Sequence, residues 1–212
     1  MIKNNGDFFM HKNSHSKMEW FKDTYLSIGN NLEILDVGSL DGSGNYNYSD
    51  IFDEKNWKYT GLDIQDGNNV DIIVSDIYNW FEIEDNKYDV VISGQLFEHL
   101  EFFWLTMSQI ERVLKPGGYL CIITPSNGPK HGGNMPNCYR FHEDGLRAMA
   151  KYVDLDVLHA SVDSREEAKP WYDACLVAHK SGSMNTENTQ ELEERINNLE
   201  GKLDSILETL QK

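Results

Sequence analysis

The sequence predicts an α/β protein built on a doubly wound sheet. Three observations lead there. Strand-like apolar runs alternate with helical patterns from about residue 32 to 180. Most of the early runs are nearly continuous in apolar character, as strands buried on both faces of a parallel sheet require. The first of them, "ILDV" at Ile34–Val37, ends in an acid and a valine and then breaks into glycines at 38, 42 and 44. Alternation of this kind packs as a sheet with helices on its faces.

In chain order, Lys17–Leu26 carries Met18, Phe21 and Tyr25 at helical spacing, which predicts a helix on the sheet edge. A lid over a ligand, with His11 and His15, is the alternative. Strands are expected at Glu33–Val37, Tyr59–Asp63, Asp71–Val74, Tyr88–Ser93, Tyr119–Thr124, Leu155–Ala160 and Ala174–Ala178. A helix between Phe97 and Leu114 places Leu100, Phe103, Met107, Ile110 and Leu114 on one face, and "KPGG" at Lys115–Gly118 ends it. A further helix is expected at Glu143–Tyr152. The polar stretch "KSGSMNTENTQ" then reads as a linker. Beyond it, Leu192, Ile196, Leu199, Leu203, Ile206 and Leu210 form a seam of a and d positions over nearly three heptads, a coiled-coil-like helix. Arg195 at g would face Glu200 at e on a partner helix. So short a helix is marginal alone, so self-association into a homo-oligomer or docking on a partner is expected; a lone amphipathic helix folded back on the domain is the other reading. The predicted organisation is an N-terminal helical or lid segment at 1–31, an α/β domain at 32–180, a linker at 181–190 and a heptad helix at 191–212.

At 212 residues the chain holds one full domain and is too short for two comfortable ones. No apolar run approaches the roughly 18 residues of a membrane span, and "MIKNNGDFFMHKNSH" lacks an apolar signal core, so export is not expected. Cys121, Cys138 and Cys175 are isolated in sequence, which reads as reduced thiols in a cytoplasmic protein, with no zinc or disulfide spacing. A net charge of −16 without any Lys/Arg-rich stretch repels nucleic acid and anionic membranes.

Three nucleotide-type turns compete for the first glycine-rich stretch. A P-loop needs GxxxxGK[ST], and no lysine follows these glycines. A dinucleotide turn needs GxGxxG, and Leu40 and Ser43 stand at two of its three glycines. What remains is an acid, Asp36, followed by Gly38, Gly42 and Gly44, whose backbone lets a ligand approach closely. An acid there suits a ligand bearing a positive group. The next strand ends in Asp63, where an acid accepts ribose hydroxyls in nucleoside-binding α/β folds, and the third ends in Asp76 and Ile77, placed for an adenine. Asp76 is alternatively a helix N-cap ahead of "IYNW".

Together "ILDVGSLDGSG", "YTGLDI", "VSDI", "YDVVISGQLFEHL" and "RVLKPGGYLCIITPS" resemble the class I S-adenosylmethionine-dependent methyltransferases of the small-molecule or glycan-modifying, type 11-like kind. The resemblance covers roughly Leu32 to Ala178. It implies a Rossmann-like, mostly parallel seven-stranded sheet with an antiparallel last hairpin, and S-adenosylmethionine as cofactor, leaving as S-adenosylhomocysteine. It implies that Asp36, Gly38 and Ser39, with Asp41 in the same turn, line the methionine portion. Asp63 would bind the ribose hydroxyls, Ile64 would lie against the adenine, and Asp76 and Ile77 would hold it. Ser93, Gly94 and Gln95 would lie beneath the sulfonium. Leu40 departs from the middle glycine common in that family. The resemblance leans toward O-methylation of a small polar acceptor or glycan precursor in bacterial surface-polysaccharide or capsule biosynthesis.

Methyl transfer is an in-line displacement, so the protein must align the acceptor and take its proton, most simply with a histidine. His99 in "GQLFEHL", His131 in the long loop "PSNGPKHGGNMPNCYRF" and His142 before the last helix are the candidates. Each has a plainer reading: Glu98 and His99 as structural or cofactor-side residues, His142 as a helix start, His131 as a loop residue. Tyr139 and Arg140 are candidate acceptor contacts, Arg140 for a carboxylate or phosphate. Trp171 and Tyr172 are either sugar-stacking rings or core. Two rivals remain open: a non-catalytic binder or scaffold assembled through the C-terminal helix, and a nicotinamide-dependent dehydrogenase, which the failed GxGxxG disfavours.

Overall fold

The computed structural model describes residues 12–41, 47–131, 133 and 135–182. His11, Gly42, Gly44, nearly all of the expected linker and the expected heptad helix lie outside the described residues. The chain divides into two units, residues 1–181 and 182–212, and the sheet belongs to the first.

Seven strands form one sheet: β1 (Leu32–Val37), β2 (Trp57–Asp63), β3 (Ile72–Ile73), β4 (Tyr88–Gly94), β5 (Leu114–Thr124), β6 (Asp156–Val162) and β7 (Ala174–His179). Their order is β3-β2-β1-β4-β5-β7-β6. β1 pairs in parallel with β2 and β4, as do β2 with β3 and β4 with β5; β7 runs antiparallel to both β5 and β6. This is the doubly wound, mostly parallel sheet with an antiparallel last hairpin that the sequence predicts.

Successive residues of a strand point to opposite faces, and here both faces are covered. Leu35, Val37, Val91, Leu120, Ile122 and Leu176 meet α2 (Phe103–Val113) and α3 (Glu143–Tyr152) on one side. Ile34, Val90, Ile92, Cys121, Ile123 and Val177 meet Met18 and Phe21 of α1 (Lys12–Tyr25) on the other. That is why the strand sequences are almost continuously apolar instead of alternating.

Three elements depart from expectation. The helix expected from Phe97 breaks into a 3-10 turn at Phe97–His99 and then α2, with Leu100 extended between them. There the N–H groups of Glu101 and Phe102 donate to the Tyr78 hydroxyl at 3.1 and 3.4 Å, so a side chain replaces the helical acceptors. β5 begins at Leu114 and takes in "KPGG", ahead of the expected start at Tyr119, because Leu114 pairs with Tyr88 across a bulge and Gly117 N–H donates to Lys180 C=O. β3 is only two residues long. Among the described residues no helix is long and apolar enough to cross a membrane.

Candidate functional site

Strand order reverses between β1 and β4, with later strands lying to one side and earlier ones to the other. Open α/β sheets bind ligands in the crevice outside the carboxyl ends at such a point. Asp36 sits there, 2% exposed, near the end of β1. Its Oδ2 accepts a hydrogen bond from the Tyr59 hydroxyl, while Oδ1 is buried with no partner. Burial pushes its carboxyl up to about 7, the Tyr59 hydrogen bond opposes this, and the charge of Asp63 adds to it. Gly38 follows at φ +81, and a Cβ there would come within 2.9 Å of Leu96 Cδ2. Only glycine turns this corner without strain. Ser39 Oγ is likewise buried and unpartnered. A carboxylate oxygen and a hydroxyl, both buried and both without partners, are what a ligand with a positively charged group would satisfy.

At the end of β2, Asp63 accepts from the N–H groups of Leu40 (3.2 Å), Ile64 (2.7 Å) and Gln65 (3.1 Å). The carboxylate thus ties the glycine turn to the loop after β2. A carboxylate has about four acceptor positions, so one remains for a ligand hydroxyl. Leu40 packs over Gly67 of that same loop. Asp41 N–H donates to Asn68 C=O at 3.1 Å. Ile64 is 49% exposed beside Asp63, an apolar surface open to a flat ring. After β3, Asp76 is exposed and accepts from Tyr78 N–H at 2.9 Å, capping a turn and not a helix. The carbonyl of Ile77 accepts from Trp80 Nε1 and Thr106.

At the end of β4, the buried Ser93 hydroxyl donates to Val37 C=O at 2.8 Å and locks β4 to β1. Gln95 takes φ 59, and its amide nitrogen donates to Asp173 Oδ1 at 3.2 Å and to Ser14 Oγ at 3.3 Å. Ser14 in turn lies 2.7 Å from the Tyr48 hydroxyl. The first turn of α1 therefore reaches the carboxyl edge while Met18 and Phe21 pack on the sheet. Asp173 was not among the expected site residues. β7 runs antiparallel, so the residue preceding it lies beside the carboxyl ends of β4 and β5, and that topology is the signal that finds it. Burial pushes its carboxyl up to about 6, against the hydrogen bond from Gln95.

Of the three candidate histidines, the fold brings two together. Glu98, fully buried, accepts from Thr124 at 3.0 Å through Oε2. Its Oε1 lies 3.6 Å from His99 Nε2 and 3.5 Å from His131 Nε2. The two imidazole rings are 5.0 Å apart, and His131 also meets the Trp171 ring at 4.5 Å. The loop carrying His131 is pinned to this turn by Cys138 and Tyr139, whose N–H groups donate to Glu98 C=O at 2.7 and 3.2 Å. His142 stands apart, exposed at the start of α3 with no capping bond from its side chain. Arg140 is directed inward along its own loop, donating to Pro129 C=O, Asn137 Oδ1 and Tyr139 C=O. Tyr139 bonds Glu101 C=O and packs edge-on to Phe103. Both brace the loop.

Residues 35–122 match the family described as a methyltransferase domain. No curated protein matches the chain. Among solved structures it is similar to the cyclase SpnF, at 16% identity and a TM-score of 0.63 over 85% of this chain and 86% of that one. It is also similar to the 1,6-didemethyltoxoflavin-N1-methyltransferase of Burkholderia thailandensis, which holds 1,6-didemethyltoxoflavin and S-adenosylhomocysteine, at 13% identity and a TM-score of 0.61 over 79% and 78%. A third is a SAM-dependent methyltransferase of Aquifex aeolicus, at 18% identity and a TM-score of 0.53 over 78% and 97%. At these identities the structures show a shared fold.

Proposed function

We propose that the chain, whose residues 35–122 match a methyltransferase domain, is a class I S-adenosylmethionine-dependent methyltransferase and that it methylates an oxygen of a small polar acceptor. The acceptor class we favour is a glycan precursor bearing a sugar hydroxyl or a phosphate-type group. When bound, S-adenosylmethionine supplies an electrophilic methyl group on a sulfonium. Asp36 and Ser39 would hold its amino-acid end, Gly38 and Asp41 would shape the turn, and Asp63 would hold the ribose. Ile64, Asp76 and Ile77 would hold the adenine, with Ser93, Gly94 and Gln95 forming the floor.

The observation that carries the acceptor half is the Glu98–His99–His131 cluster. It lies just past β4, at the carboxyl edge of the sheet, and Thr124 at the end of β5 ties it down. Glu98 and His131 are the groups that would activate an acceptor hydroxyl, while Trp171 offers a ring for a sugar face to lie on. A net charge of −16 disfavours nucleic acid as the acceptor. The heptads at Leu192–Leu210 would assemble copies of the chain or dock it on a partner, and deleting residues 185–212 should then lower the mass state seen by light scattering.

Incubation with labelled S-adenosylmethionine and a panel of sugars, sugar phosphates and nucleotide sugars tests the reading. Label in a base-stable ether of one acceptor, lost in Glu98→Gln with S-adenosylhomocysteine binding retained, is the expected result. Binding of the cofactor without transfer to any acceptor would favour the non-catalytic scaffold instead.

A further inference from the structure

We infer that Glu98, His99 and His131 form a binding site for one divalent cation of borderline softness, zinc being the representative ion. Two imidazoles and one carboxylate are a donor set that such cations take, and three protein ligands leave a further coordination position open.

The geometry is close to what coordination requires. Metal–ligand bonds of about 2.0–2.1 Å in a tetrahedron place donors about 3.3 Å apart. Glu98 Oε1 is 3.6 and 3.5 Å from the two Nε2 atoms. All three donor atoms lie within 4.8 Å of one another. Side-chain shifts of a few tenths of an ångström close most of the difference.

The lone pair of His99 is also available. His99 Nδ1 is 2.6 Å from Pro136 C=O, and a carbonyl can only accept. Nδ1 therefore carries the proton, and in the neutral ring Nε2 presents its lone pair to the cluster. A backbone carbonyl on the far nitrogen is the usual support of a metal-bound histidine. For His131 the cation needs the ring proton on Nδ1, where Pro129 C=O at 3.4 Å accepts it. Asn137 Nδ2 at 3.5 Å and Arg140 Nη2 at 3.4 Å are donors that favour the opposite tautomer, so binding has to shift that proton. The charge of Arg140, on the side away from the cluster, lowers the affinity further.

The independent observation is Glu98 itself. Its side chain is 0% exposed and Oε1 has no hydrogen-bond partner. Among the described residues no lysine or arginine pairs with it; the two histidines lie within ion-pair distance, and Asp173 adds a like charge nearby. A buried carboxylate oxygen without a partner is costly, and a cation between Oε1 and two imidazoles removes that cost. An acceptor hydroxyl entering the open position would shed its proton to solvent more readily, as metal-bound water does. That use of the site rests on the methyl-transfer reading; the binding of the cation does not.

The test is calorimetric titration of the full chain, freed of metal by a chelator, with zinc, and a parallel titration with cobalt followed by its visible absorption. One equivalent should bind, with a cobalt band of low coordination number. Affinity should fall at least about 100-fold in His131→Ala and in Glu98→Gln and stay unchanged in His179→Ala. His131 is a half-buried loop residue, so its variant should fold even if the Glu98 variant does not. Absence of stoichiometric binding, or binding unaltered in His131→Ala, overturns the site. Repeating the titration with S-adenosylhomocysteine separates the two readings, since a protein that binds the cation but not the nucleoside keeps this site and loses the proposed function.

Discussion

The hydroxyl of Tyr48 lies 2.7 Å from Ser14 Oγ, and the same hydroxyl stands only 1.9 Å from where a Cβ at position 94 would be. Gly94 is thus fixed by the aromatic ring that seats the first turn of α1 against the end of β4. Gly94→Ala should destabilise the protein by about 1–3 kcal/mol, the usual cost of overpacking, read as a lower thermal midpoint. Adding Tyr48→Phe should not restore it, because ring carbons also lie 2.5 and 2.6 Å from that position. Recovery in the double variant would show that the hydroxyl, and not the ring, sets the constraint.

Asp173 makes a second prediction, about pH and stability. Burial raises its folded carboxyl to about 6, from an ordinary 3.8. The native state therefore holds this proton more tightly than the unfolded chain does, and the group's contribution to stability falls as pH rises from about 4 to above 6. Asp173→Asn removes that loss. Relative to wild type, the variant should gain on the order of 2–3 kcal/mol between pH 4 and pH 7.5, measured by urea unfolding at each pH. A pH-independent difference between the two would contradict the placement of Asp173 as a buried acid.

A third prediction concerns Asp36, whose carboxyl burial raises to about 7. A ligand with an ammonium group binds the ionised form, so below pH 7 the carboxyl must first release a proton. Affinity for S-adenosylhomocysteine should fall roughly ten-fold from pH 8 to pH 6 in wild type. In Asp36→Asn it should be weaker and flat across that range. A flat wild-type profile would mean that Asp36 does not face the ligand's amino group.

The sheet was legible in the sequence because each central strand is buried on both faces. Runs such as Val90–Ile92 and Cys121–Ile123 can be apolar throughout only in that setting. Asp36 and Asp63 were legible because an acid near a strand's carboxyl end, in or beside a turn, is a local pattern. The break at Leu100 was not, since it depends on a Tyr78 hydroxyl that arrives from a distant loop. Nor was the closeness of Glu98 to His131, which depends on the loop after β5 folding back so that Cys138 and Tyr139 bond the Glu98 carbonyl. Helical and strand periodicity report which face a residue occupies and carry no information about such long-range closures. Arg140 shows the same limit from the other side: the sequence does not reveal that its Nη donors are directed at that loop's own carbonyls and Asn137, while its Nε has no partner.

The central claim is that the crevice between β1 and β4 holds S-adenosylmethionine, and calorimetric titration with S-adenosylhomocysteine tests it most directly. Wild type should bind one equivalent at micromolar strength. Asp63→Ala, checked for an unchanged circular dichroism spectrum, should lose that binding, since it gives up the proposed ribose acceptor and the tie to Leu40 N–H. No binding by wild type, or full binding by the variant, would contradict the account.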